Sequence, residues 1–132
     1  MNVKGYLVIY TLLLGCQQNQ TQMEKRIGAI EVVLFKTKPG YTQDQAQEAL
    51  ESLNRHVVKF DGFISRKLSV DEQGNWMDLV YWESKGLALK AAEEIMKVPE
   101  AAQVFEVIDD STIQMYHFNP AMTLNTEIQT KN

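Results

Sequence analysis

Residues 75–84, NWMDLVYWES, gather the side chains best suited to chemistry. Trp76, Asp78 and Trp82 sit at even spacing in that run, which places all three on one face of a strand. Indole rings bury large areas and stack on flat ligands, and a carboxylate held among them must find a partner or titrate abnormally. A second isolated carboxylate, Glu31, stands in another apolar run, residues 28–37 (GAIEVVLFKT). Plainer roles stand beside the chemical ones. The tryptophans can fill a core or an interface, Asp78 can pair with Lys67 across a hairpin, and Glu31 can be a satisfied interface carboxylate. His56 reads as a boundary residue of a helix, and His117, near the end of the last apolar run, fits a structural role. Carboxylate pairs at acid–base spacing, glycine-rich phosphate loops and metal-ligand clusters are absent from the pattern.

The elements that must position these residues follow from periodicity. With 132 residues and 45% hydrophobic content the chain suits one domain with a real core. Its net charge of −4 is spread out, so no basic face exists for nucleic acid. Residues 28–37 form a β-branched strand ended by Lys38-Pro39-Gly40. Thr42 with Gln45 three positions on makes a capping box, and Ala46, Ala49, Leu50, Leu53, Val57 and Phe60 continue one helical stripe. A second strand spans 63–70 and a third 76–82, joined by DEQG at 71–74. Ser84 caps a second helix, Pro99 opens a shorter one reaching Ile108, and Asp109-Asp110 turns into a last strand, 111–118. Residues 119–132 read as a tail.

The order is β-α-β-β-α-β, a ferredoxin-like α+β pattern: a four-stranded antiparallel sheet in the order 4-1-3-2, with both helices on one face. A four-residue hairpin loop pairs Val70 with Asn75. It turns Ile64, Leu68, Val70, Met77, Leu79 and Tyr81 toward the helices, with Arg66 the exception. A five-residue loop would spread polar residues over both faces, so the shorter loop is the expectation. The uncovered face then carries Phe35, Phe63, Trp76 and Trp82 with Lys67 and Asp78, an apolar patch of the kind that marks an interface or ligand groove. On the last strand Ile113, Met115 and His117 share one face and Gln114, Tyr116 and Phe118 the other; which set points inward stays open.

The start of the chain carries an address. Residues 1–16, MNVKGYLVIYTLLLGC, hold one Lys, an apolar run too short to span a bilayer, and Leu13-Leu14-Gly15-Cys16. That ending resembles the lipobox of bacterial lipoproteins, which implies a signal peptide over 1–15 and a lipid on Cys16. The alternative is an apolar element with an incidental cysteine. As the single cysteine, Cys16 excludes an internal disulfide and Cys-rich metal motifs. The polar tract QQNQTQ at 17–22 suits a tether over 16–24, with the domain at 25–118, so the expectation is a protein anchored in the bacterial cell envelope.

Residues 28–118 resemble the antibiotic biosynthesis monooxygenase-like group of dimeric α+β barrel proteins. The resemblance rests on the strand ending Lys38-Pro39-Gly40, on Gly62-Phe63, and on Tyr81-Trp82-Glu83-Ser84. It implies a homodimer in which two sheets pack face to face, so that the uncovered face lines a cavity. Members include cofactor-free oxygenases acting on aromatic molecules, haem-degrading enzymes, and proteins without demonstrated activity. The haem branch needs an Asn where this chain has Val33 and a His where it has Ala92; only Trp82 matches, so that reading is rejected. The oxygenase reading implies no cofactor, with a small aromatic ligand held by Trp82, Trp76, Phe35, Phe63 and Lys67. Asp78 or Glu31 would accept a proton and Tyr116 would hydrogen-bond an oxyanion. A dimer that binds such a ligand without transforming it is the second expectation.

Overall fold

The computed structural model describes residues 25–124. The expected leader (1–15), the Cys16 lipidation site, the tether (16–24) and the end of the tail lie outside the described residues. The elements are β1 (Ala29–Thr37), α1 (Gln43–Glu51), α2 (Asn54–Val57), β2 (Phe63–Val70), β3 (Trp76–Trp82), α3 (Lys85–Ile95), α4 (Pro99–Phe105) and β4 (Ile108–Phe118). They form one antiparallel sheet ordered β2-β3-β1-β4, the expected ferredoxin-like order read from the other edge.

Caps form where the sequence places them. Thr42 Oγ1 accepts from Gln45 N at 3.2 Å while Gln45 Oε1 accepts from Thr42 N at 2.9 Å, and Ser84 Oγ accepts from Leu87 N at 3.2 Å. The first helix, expected to run unbroken to Phe60, divides after Glu51. Ser52 Oγ donates to Ala49 O at 2.6 Å, and Arg66 Nη1 donates to Leu50 O at 3.0 Å. A side chain inserted into the ladder there takes the carbonyl a continuous helix would use, and the chain bends.

The hairpin overturns the expected register. Val70 pairs with Trp76 and Lys67 with Leu79, so the loop has five residues, Asp71 to Asn75. Asp71 Oδ1 accepts from Gln73 N (2.9 Å) and Asn75 N (2.8 Å), Asn75 Nδ2 donates to Asp71 Oδ2 (2.7 Å), and Asp71 N donates to Asn75 O (3.0 Å). These bonds to Asn75, then those to Gln73, hold the exposed Asp71 carboxyl below its ordinary range. A carboxylate that closes the longer loop so fully decides the register.

Consequently the sheet's faces are exchanged relative to the helices. Phe35, Trp76, Val80 and Trp82 are buried beneath the helices rather than on the uncovered face. Trp76 lies parallel to Phe35 at 6.3 Å in a cluster with Leu50, Leu53 and Val104, and Trp82 packs with Ala29, Ala88 and Ala91. The opposite face carries Ile30, Val32, Leu34, Met77, Leu79 and Tyr81. The patch expected of an unclosed sheet exists, but it is this one, mostly aliphatic with Tyr81 in it.

The last strand begins at Ile108, earlier than expected, and is interrupted. Leu34 pairs with Gln114 and Lys36 with Asp109, so Asp110 to Ile113 all stand opposite Phe35. Lys36 N donates to Thr112 Oγ1 (2.9 Å), Thr112 Oγ1 donates to Asp109 O (2.6 Å), and Ser111 N donates to Asp109 Oδ1 (3.1 Å). The turn expected from Asp109-Asp110 is thus a large bulge inside the strand.

Candidate functional site

Between the sheet and the helices lies a cavity of about 470 Å³, a size that accommodates a small organic ligand. Its floor is the inner sheet face at Glu31, Val33, Asp78, Val80 and Trp82. Leu50, Leu53, Val57, Ala91 and Ile95 cover it from the helices. The small Ala88 and Ala91 let α3 approach the sheet closely beside Trp82. Met96, Ile113 and Met115 line the rim and are exposed, so the cavity opens between α3 and the edge strand β4.

Trp82 is 3% exposed and meets Phe63 edge-on, with ring centres 5.8 Å apart and planes at 80°. Its Nε1 is buried and has no hydrogen-bond partner among the described residues. An unpaired buried donor of this kind costs roughly 1–3 kcal/mol, and the side chain that carries it lines the cavity.

Glu31, 8% exposed, has His117 Nε2 2.8 Å from its Oε2. Oε1 has no hydrogen-bond partner among the described residues. Burial pushes the Glu31 carboxyl above its ordinary value. The hydrogen bond and charge of His117 oppose that rise, and the negative charge of Asp78 adds to it. The Trp82 indole also lowers it, though least of all and from outside hydrogen-bond geometry.

Asp78 is fully committed. Arg66 Nε donates to its Oδ1 (2.9 Å) and Oδ2 (3.1 Å), and Arg66 Nη2 donates to Oδ2 at 2.7 Å. Arg66 Nη1 reaches Leu50 O and Asn54 Oδ1, at 3.0 and 2.8 Å. This bidentate pair, with side-chain exposures of 7% and 16%, carries a charge of each sign into the cavity floor without net charge.

Of the residues singled out in the sequence, Glu31, Asp78, Trp82 and Phe35 meet at this cavity. Trp76 and Phe63 lie behind them as packing. Lys67 and Tyr116 are not with them. Lys67 pairs with Leu79 on the opposite face, so the expected Lys67–Asp78 contact does not form. Tyr116, 45% exposed and opposite Val32, stacks on Phe118 at 6.1 Å and donates to Gln114 Oε1 at 3.2 Å. Of Tyr116 and His117 the inward one is His117, on the same face of β4 as Met115. Sequence reasoning passed over it and Arg66, although Arg66 was the misfit of the expected face; in the five-residue register it stands diagonal to Asp78. Among the described residues no three His, Cys, Asp or Glu side chains are grouped to hold a metal ion.

No protein-family model matches the chain, and no curated protein matches it in sequence. Solved structures do match its fold. SnoaB, a cofactor-independent oxygenase from Streptomyces nogalater, superposes with a TM-score of 0.60 at 12% identity, over 76% of this chain and 100% of that one. A monooxygenase from the gene ActVA-Orf6 of Streptomyces coelicolor, in complex with the ligand Nanaomycin D, gives 0.53 at 13% identity, over 76% and 93%. A dimeric ferredoxin-like protein from an uncultured marine organism gives 0.57 at 13%, over 78% and 96%. By architecture, then, the chain is a ferredoxin-like α+β protein with the fold that antibiotic biosynthesis monooxygenases adopt.

Proposed function

We propose that the chain binds a small hydroxylated aromatic molecule in the cavity over Trp82 and acts on it as a cofactor-independent monooxygenase. The observation that carries this reading is Trp82, whose side chain lines a largely apolar cavity and whose buried Nε1 has no hydrogen-bond partner among the described residues. Flat apolar walls favour an aromatic ligand, and the indole N–H favours one with an acceptor oxygen beside Trp82. The fold shared with cofactor-independent oxygenases supports the reaction class.

Two carboxylates were candidates for proton acceptor, and the geometry favours Glu31. Asp78 spends both oxygens on Arg66, whereas Glu31 keeps Oε1 free. The ligand's O–H bond breaks, its proton goes to Glu31 Oε1, and the resulting anion is stabilised by the Trp82 N–H. Such an electron-rich anion reduces dioxygen directly. One oxygen atom replaces two hydrogens at an activated carbon as a carbonyl and the other leaves as water. All four electrons come from the substrate.

The uncovered apolar face fits a homodimer, and the dimeric ferredoxin-like neighbour supports it. Lipid anchoring through Cys16 in a bacterial envelope remains the proposed address.

The test is oxygen uptake by the full chain with a panel of hydroxynaphthalenes and anthrones, beside quenching of tryptophan fluorescence. Trp82→Phe keeps the ring area and removes the N–H. It is expected to weaken binding about tenfold, the worth of one hydrogen bond of about 1.4 kcal/mol. Quenching without oxygen uptake would make the protein a binder of aromatic ligands; neither signal would refute the cavity as a site.

A further inference from the structure

Behind the cavity wall, in contact with Glu31, stands a titratable group whose placement the proposed reaction does not use, the His117 imidazole. β4 is an edge strand, and its alternation brings His117 to the inner face directly opposite Glu31 in the register. Its side chain is 11% exposed and that of Glu31 10% exposed. Nε2 is 2.8 Å from Glu31 Oε2, and Nδ1 has no hydrogen-bond partner among the described residues. Hydrophobic side chains alone would close this part of the sheet; instead a buried acid and an imidazole stand in hydrogen-bond contact.

We propose that His117 is the positioning residue for the proton acceptor: it holds Glu31 Oε2, leaves Oε1 as the free oxygen, and keeps the carboxylate ionised in its buried site. This deepens the proposed function, because it rests on Glu31 taking the proton of a hydroxyl-bearing ligand. Among the described residues His117 is the strongest device for the purpose, the Trp82 indole of β3 adding a smaller effect in the same direction. From β3 Glu31 also faces Asp78, whose charge opposes ionisation, and that charge is offset by Arg66 of β2. The helices above present Val57, Ala91, Ala92 and Ile95, none of them charged, and Asp110 is the remaining acid on the cavity wall. With His117 as hydrogen-bond donor, and as a cation when protonated, the carboxylate is relieved of part of the burial that would neutralise it. An ionised Glu31 accepts the ligand's proton with no change of oxidation state in either partner: one ligand O–H bond breaks and one carboxyl O–H bond forms.

The test reads the full chain before any ligand is added. Carbon-13 NMR of glutamate-labelled protein follows the Glu31 carboxyl through a pH titration, its signal assigned by its loss in Glu31→Gln. His117→Gln keeps a donor but carries no charge, and His117→Leu keeps neither. The Glu31 midpoint is expected to move to higher pH in His117→Gln and further in His117→Leu. Where the leucine variant does not fold, the glutamine variant decides. A midpoint in His117→Gln equal to that of the wild type overturns the proposal. Because the readout needs no turnover, its failure is distinct from a failure of the oxygenase reading. If oxygen uptake is found, its acid limb must move to higher pH with the same variants, whereas a merely structural histidine would lower the rate at all pH values alike.

Discussion

Replacing Asp78 by Asn tests the energetics of the cavity floor most directly. The wild-type carboxylate accepts three hydrogen bonds from Arg66, at 2.9, 3.1 and 2.7 Å. Asn keeps one acceptor oxygen and loses the charge, leaving a guanidinium with 7% side-chain exposure partly uncompensated. Breaking such a pair from one side costs roughly 3–5 kcal/mol; with one acceptor retained, about 3 kcal/mol is the expectation. For a domain of this size, that is a fall in Tm of roughly 12–24 °C. The double variant Arg66→Met/Asp78→Leu removes both charges together. It is expected within about 1 kcal/mol of the wild type. Leu50 O, released by Arg66, still has Leu53 N at 3.3 Å. Urea denaturation at neutral pH, followed by the fluorescence of the buried tryptophans, measures all the variants. An Asp78→Asn loss below about 1 kcal/mol, or a double variant as unstable as its two singles added together, would refute the reasoning.

Further perturbations bear on other parts of the structure. Glu31 carries a raised pKa, so its contribution to stability is full below the ordinary carboxylate range and is lost as pH rises through the raised value. The wild type should therefore lose stability over that interval relative to Glu31→Gln, and parallel stability–pH curves for the two would contradict this. Gly28→Ala puts a Cβ 2.0 Å from Glu83 O, where Gly28 N also donates to Trp82 O at 2.9 Å. It should destabilise by at least about 1–3 kcal/mol in the same urea assay. Light scattering is expected to give twice the chain mass, and Leu79→Lys on the uncovered face to give the monomer; a wild-type monomer at micromolar concentration counts against the dimer.

Strand identities and caps were legible because each rests on local chemistry, as with Thr42 and Gln45, Ser84, and the β-branched run at β1, and the sheet order followed from the element order. The register was not. Sorting polar from apolar residues yields the shorter loop, on the premise that the helix-covered face is uniformly apolar. Arg66 and Asp78 break that premise by satisfying one another, which pairwise sorting by polarity cannot see. The information lay instead in Asp71 and Asn75, whose side chains and backbones close the longer loop. From that one displacement come the exchange of the sheet's faces and the misplacement of Lys67. Tyr116 against His117 stayed open for a different reason. Alternation fixes which residues share a face, and the bulge at Asp110 to Ile113 separates β4 from any count begun at its start.

That bulge also bears on how such a chain can diversify. Its backbone is anchored through side chains, with Thr112 and Asp109 standing in for ladder partners, while regular pairing resumes at Gln114 on one side and Asp109 on the other. As long as Thr112 keeps its bonds to Lys36 and Asp109, the other residues between those points can be replaced without shifting a strand. Asp110 and Ile113 lie in that stretch and line the cavity. Substitutions there would reshape the entrance while Trp82, Glu31 and His117 stay in place. Selection for a different ligand thus has a segment of the gene on which to act that is largely uncoupled from folding.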